Sequence, residues 1–158
     1  MILRHKRITE GQTGHDVGRE LLTQMYREYI GVDLPAIATK PLGKPYFVDG
    51  NIHFSITHTK HHVFCALAET PVGIDAEELS RKVNPLLAGK ILSPKEKEQY
   101  DMAEDQNKAL LTFWVLKEAA GKCSGKGVQG YPNDTNFFLS DPRVQEWEGC
   151  LVAAIEEG

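Results

Sequence analysis

A chain of 158 residues with a net charge of −4 is long enough for one domain, or for two small halves that share a core. The acidic balance argues against broad nucleic-acid binding. No stretch is apolar enough to span a bilayer, and Met1-Ile2-Leu3-Arg4-His5-Lys6-Arg7 lacks the apolar run of a signal peptide.

Residues 1–8 read as a first strand. Asp16 is placed to cap a helix that runs to about Ile30, where Gly31 stops it. Its expected core face is Leu21, Leu22, Met25, Tyr29 and Ile30. Residues 31–45 carry Pro35, Pro41, Gly43 and Pro45 and read as a loop. Residues 52–57 set Ile52, Phe54 and Ile56 against His53, Ser55 and Thr57, and residues 63–68 form a second apolar run. The two are expected to pair antiparallel around Lys60-His61-His62.

Residues 72–77 alternate as a half-buried strand. Val72, Ile74 and Ala76 face a core, and Gly73, Asp75 and Glu77 face the other way. The period of two puts both carboxylates on one face, about 7 Å apart at the backbone. Like charges that close repel, and a divalent cation between them relieves the repulsion.

Asn84-Pro85 starts a short helix, and Ser93-Pro94-Lys95-Glu96 is a capping box with proline in the first turn of the next, which ends near residues 101–104. Residues 106–124 read as a long helix ended by Gly125. Phe113, Leu116, Ala120 and Cys123 mark its buried stripe. Trp114, Glu118 and Lys122 recur at i, i+4, i+8 on another face, with Lys117 flanking it. Residues 136–139 and 150–155 are the last strand candidates.

An i, i+4 Glu–Lys pair alone is usually a solvated surface pair, and an Asp-x-Glu alone is often a loop entry. Together they offer three carboxylates and two lysines in two short segments. Hard oxygen ligands suit Mg²⁺, and lysines suit phosphate. The basic residues are local, at Arg81-Lys82 and at Lys117, Lys122 and Lys126. His53, His58, His61 and His62 with Cys65 offer zinc ligands. However, His53 and His58 have opposite parity on an extended strand, and no second cluster completes the set. His61 and His62 read as turn residues. Trp147 reads as core, and Trp114 as core or as a wall of the site. Cys65, Cys123 and Cys150 are odd in number and widely spaced, and read as thiols in a reducing cytoplasm.

Four ordered motifs run from about residue 40 to 130. They are Gly43-Lys44-Pro45, Phe54-Ser55-Ile56-Thr57-His58-Thr59, Gly73-Ile74-Asp75-Ala76-Glu77, and Trp114-Val115-Leu116-Lys117-Glu118-Ala119-Ala120-Gly121-Lys122. In this order the sequence resembles the 4′-phosphopantetheinyl transferases of the surfactin-synthetase type. Two departures stand out: the usual Ser-His-Ser is Thr57-His58-Thr59, and the usual asparagine before it is Ser55. Threonine keeps the hydroxyl.

The resemblance implies an α+β fold of two pseudo-twofold-related halves, each a small antiparallel sheet packed with helices. They would meet near Thr70-Pro71, giving residues 1–70 and 71–158, with the active site between them. It implies Mg²⁺-dependent transfer of the phosphopantetheine arm of coenzyme A to a serine of an acyl- or peptidyl-carrier protein, releasing adenosine 3′,5′-bisphosphate. Asp75, Glu77 and Glu118 would hold Mg²⁺, and Glu118 would serve as base. Lys122 would contact the phosphates and steady the leaving group. Lys44, Pro45, Thr57 and His58 would line the coenzyme A site. Arg4, Lys6, Arg7 and Arg19 are candidates for the 3′-phosphate. A cytoplasmic monomer is expected. The competing readings are an inactive coenzyme A- or nucleotide-binding module and an unrelated Mg²⁺-dependent phosphohydrolase.

Overall fold

In the computed structural model, which describes residues 1–127 and 135–158, the chain opens with strand β1 (Ile2–Arg7) and helix α1 (Gly14–Ile30). The end of the motif-bearing stretch, residues 128–130, lies outside the described residues. Thr13, rather than Asp16, is the N-cap of α1. Its hydroxyl accepts the Asp16 N–H, and Asp16 sits in the first turn, where a negative charge suits the helix dipole. Gly31 ends the helix in the left-handed conformation that glycine adopts without strain. Val17, Gly18, Leu21, Leu22, Met25 and Tyr26 form its buried stripe. The last turn lies at the rim. There Tyr29 packs under the Arg4 guanidinium, and Ile30 is 38% exposed rather than core.

The segment expected to be a loop contains a small hairpin, β2 (Ile37–Thr39) and β3 (Pro45–Phe47), with Thr39 opposite Pro45. Three-residue strands closed by a turn at Lys40–Lys44 are too short to show a period. Strands β4 (His53–His58) and β5 (His62–Ala68) pair antiparallel as expected, but the turn is shorter than expected. His62 heads β5 and is buried, so only His61 of the two histidines is a turn residue.

Strand β6 (Val72–Glu78) follows, then a 3-10 turn at Pro85–Leu87 with α2 (Ala88–Ile91), then α3 (Pro94–Met102) and α4 (Gln106–Ser124). The capping box forms as read: Ser93 Oγ accepts from the Glu96 N–H, and Glu96 Oε1 accepts from the Ser93 N–H. The chain closes with β7 (Val144–Trp147) and β8 (Cys150–Glu156). Residues 136–139, read as a strand, form none. Their donors go instead to α3 side chains, the Phe137 N–H to Glu96 Oε2 and the Leu139 N–H to Gln99 Oε1.

The two three-stranded sheets have the same order. The first runs β1-β5-β4 and the second β6-β8-β7. In each, the first strand is an edge, the last strand is central, and a helix separates the first strand from the final hairpin. Alternation along the strands sets the layers. Val63, Cys65 and Leu67 of β5 pack on α1, whereas Phe64, Ala66 and Ala68 pack on Val72, Ile74 and Ala76 of β6 and on Val152 and Ala154 of β8. The opposite face of β8, Leu151, Ala153 and Ile155, packs on α4. The sheets therefore lie face to face, with α1 outside one and α4 outside the other.

Candidate active site

Gly73, Asp75 and Glu77 point toward α4, as the period of two requires. Gly73 makes the approach possible, because a Cβ there would strike the Ala119 carbonyl and the Cys123 amide. That contact brings α4 close enough for Lys122 Nζ to reach the Ile74 carbonyl at 3.0 Å and Asp75 Oδ1 at 3.2 Å. From the other side, Thr57 Oγ1 donates to the same Oδ1 at 3.4 Å. Ser55 Oγ accepts the Ile74 N–H at 3.1 Å, joining the free edge of β6 to β4. Ser55 and Thr57 were the polar face of a half-buried strand in the sequence. Both are buried because β6 covers them.

Asp75 is buried, and its Oδ2 has no hydrogen-bond partner among the described residues. An anionic oxygen in that position costs free energy unless a cation joins it. Burial pushes the Asp75 carboxyl up to about 7. Lys122 pulls it down, while Glu118 and Glu77 push it further up. Glu118 is half-buried, and burial raises it too, with Lys122 opposing and Glu77 adding to the rise. Glu77 continues the same strand face but is held by Arg81 across one i, i+4 step.

Beside these groups lies a cleft of about 230 Å³ lined by Leu42, Lys44, Pro45, Phe54, Glu118 and Lys122, among others. Its walls come from the β2–β3 turn, β4 and α4. Lys44 Nζ donates to the carbonyls of Val72 at 3.3 Å and Cys123 at 3.0 Å, and so ties the turn to the last turn of α4. A second cavity on the other side of Lys44 is lined by Lys40 and His53 as well.

The structure thus brings Asp75, Glu77, Glu118 and Lys122 together, with Thr57 touching Asp75 and with Lys44 and Pro45 in the cleft wall. His58 is exposed and does not line the cleft. It sits against the first residue of α1, where a Cβ on Gly14 would meet its ring at 2.5 Å. Lys117, grouped in the sequence with the basic patch, is instead 2% exposed and paired with the fully buried Glu96 at 2.8 Å. Sequence periodicity could not show this, because the partner lies on α3. Arg4 and Lys6 face α1, Arg4 over Tyr29 and Lys6 paired with Glu20 at 2.6 Å, on the sheet edge opposite β4.

The donor set fits Mg²⁺. It consists of carboxylates, a hard-oxygen set, and one of its oxygens is buried without a partner among the described residues. Lys122 supplies a second positive charge at the mouth of the same site. An arrangement of this kind can hold a cation against a phosphate or pyrophosphate and accept a proton beside it.

A profile described as the 4′-phosphopantetheinyl transferase superfamily matches residues 71–150, which is half of the chain. The chain is 36% identical over 106 residues to 4′-phosphopantetheinyl transferase gsp of Aneurinibacillus migulanus, an alignment covering 65% of this chain and 43% of that protein. It is 30% identical over 122 residues to 4′-phosphopantetheinyl transferase HetI of a Nostoc species, covering 70% of this chain and 51% of that protein. Against a 4′-phosphopantetheinyl transferase of Bacillus subtilis it is 28% identical over 117 residues, covering 71% and 52%. The chain spans about half the length of the curated relatives it matches.

Proposed function

Because the chain belongs to the 4′-phosphopantetheinyl transferase superfamily, we propose that it transfers the phosphopantetheine arm of coenzyme A to a serine of an acyl- or peptidyl-carrier protein. The observation that carries this reading is the buried oxygen of Asp75, without a partner among the described residues, set between Glu118 and Lys122 beside an open cleft. Asp75, Glu118 and Glu77 would hold Mg²⁺, which when bound neutralises charge on the pyrophosphate of coenzyme A.

The remaining work falls to the protein. The carrier serine oxygen bonds to the phosphorus that bears the pantetheine arm. The bond from that phosphorus to the bridging oxygen breaks, and adenosine 3′,5′-bisphosphate leaves. Glu118, whose proton affinity burial raises, accepts the serine proton directly or through a water. Lys122 stabilises charge on the leaving phosphate. Lys44 and Pro45 form the cleft wall that positions coenzyme A. His58, with the N-terminus of α1 beside it, would take a phosphate reaching out of the cleft. Thr57 orients Asp75 through its hydroxyl.

The shared strand order of the two sheets supports two halves related by a pseudo-twofold and divided near Thr70-Pro71, between β5 and β6, with the site where β4 meets β6. We place the protein in the cytoplasm as a monomer, a location consistent with its three free cysteines.

The deciding experiment incubates the protein with coenzyme A, Mg²⁺ and a panel of apo carrier proteins, then weighs the carriers intact. A mass gain of one phosphopantetheine group on a carrier supports the assignment. A panel of fatty-acid, polyketide and peptide carriers all left unmodified overturns it.

A further inference from the structure

At the opposite edge of the sheet sandwich lies a cluster that the transferase reading does not use. His5 of β1, His62 of β5 and Glu148 of the β7–β8 turn each place one ligand atom within 4.8 Å of the other two. We propose that these three side chains form a transition-metal site for a borderline cation, Zn²⁺ foremost, that clips the β7–β8 turn to the first sheet.

The strand register explains the two imidazoles. His5 lies opposite Phe64, and His62 is two residues before Phe64 on the same strand. All three share the face turned toward the second sheet. His5 Nε2 and His62 Nδ1 stand 2.8 Å apart, one donating to the other. Tetrahedral Zn²⁺ with nitrogen ligands at 2.0–2.1 Å sets such atoms about 3.3 Å apart. A movement of about half an ångström would exchange the shared hydrogen for the ion. Two imidazoles and one carboxylate are a set that zinc accepts while keeping a fourth position for water.

The third ligand is placed by the backbone. Glu148 and Gly149 form the two-residue turn between β7 and β8, and both have positive φ, +53° and +73°. Such a turn favours Asn-Gly or Asp-Gly, so a glutamate at its first position is held in an uncommon conformation. Its carboxylate makes no ion pair among the described residues and faces the two rings instead. Aromatic neighbours fix the imidazoles: Phe64 and Trp147 lie 5.0 Å and 5.8 Å from the His5 ring. His62 is buried and Glu148 is exposed, so the cluster is walled on one side and open to entry on the other.

The cluster also differs in chemistry from the carboxylate site. Nitrogen ligands favour zinc-like ions over Mg²⁺, whereas the carboxylate set suits Mg²⁺, which in large excess competes with Zn²⁺ there. The test therefore uses the full chain stripped of metal, then dialysed against Zn²⁺ with Mg²⁺ in large excess. One Zn²⁺ per chain should be retained, with a rise of about 3 °C in thermal midpoint. His5→Ala should weaken retention about a hundredfold, and Glu148→Gln about tenfold. The double variant Asp75→Asn with Glu118→Gln should retain Zn²⁺ as the parent does. Cobalt in place of zinc should show the intense visible bands of a tetrahedral site in the parent and lose them in His5→Ala. Three outcomes overturn the proposal. They are no retained Zn²⁺, retention unchanged in a His5→Ala variant with a native circular dichroism spectrum, or loss in the carboxylate double variant.

Discussion

Helix α1 covers the outer face of its sheet on one side and leaves the other side to water, whereas α4 is enclosed on two sides. The sheets beneath them repeat the same strand order. Yet α1 buries one stripe, while α4 buries residues around most of its circumference between β6, β8 and the α3 region. The difference shows which sheet and helix hold charged groups at fixed positions. Glu118 and Lys122 stand on the enclosed helix, and the strand against it carries Asp75. Strand β4 supplies the hydroxyls of Ser55 and Thr57 and, with the β2–β3 turn, a wall of the cleft, but no carboxylate within reach.

The sharpest way to break this comparison is to remove charge around the enclosed helix without altering its shape. Asp75→Asn and Glu118→Gln should each lower transfer to a carrier protein by about a thousandfold, measured as initial rate by mass of the intact carrier. Both should keep the parent circular dichroism spectrum. Activity within tenfold of the parent would place the chemistry elsewhere.

The enclosure of α4 rests on the Glu96–Lys117 pair, to which the Phe137 amide also donates. Lys117→Met would leave Glu96 buried without its cation and should cost about 3–5 kcal/mol in urea unfolding. A double replacement by apolar residues should recover much of that loss, because the desolvation penalty disappears with both charges. A single variant as stable as the parent would show that the pair does not hold the helix in place.

Metal-free protein should also show the cost of the Asp75 carboxyl. Folding raises its pKa from 3.8 to about 7, so between those values the folded chain binds more protons than the unfolded one. Stability must then fall as pH rises from about 4 to 7 and level off above 7. The expected fall attributable to Asp75 is on the order of 4 kcal/mol, from a rise of about three in pKa at about 1.36 kcal/mol each. It appears as the difference in slope between the parent and Asp75→Asn in chelator-containing buffer. Parallel slopes would mean that the carboxyl titrates normally.

The elements behind these predictions were legible in the sequence to different degrees. The alternation from Val72 to Glu77, the spacing of Glu118 and Lys122, and the caps at Ser93 and Gly125 are local patterns and were legible, although the strand expected to be half-buried has Gly73 and Asp75 buried under α4. Partners distant in sequence were not. Lys117 looked solvated because Glu96 lies on another helix. Phe137 and Phe138 looked like strand residues, although α3 side chains take the donors of that segment. In the sequence the candidate zinc ligands are histidines close together, His53, His58, His61 and His62. The fold keeps His62 from that set and joins it to His5 and Glu148, from opposite ends of the chain.

The smallest predicted effect tests the contact between β4 and β6. The Ile74 N–H lies on the free edge of β6, and Ser55 Oγ of β4 is its acceptor. Both residues are buried, so water cannot easily replace the hydroxyl. Ser55→Ala should therefore cost about 1–2 kcal/mol and speed hydrogen exchange at the Ile74 amide. A fall in transfer rate should accompany it, because Ile74 also offers its carbonyl to Lys122 and precedes Asp75. If the Ile74 amide stays as protected as in the parent, the hydroxyl does not join β4 to β6. The placement of Asp75 would then depend on Thr57, on Lys122 and on the close approach at Gly73.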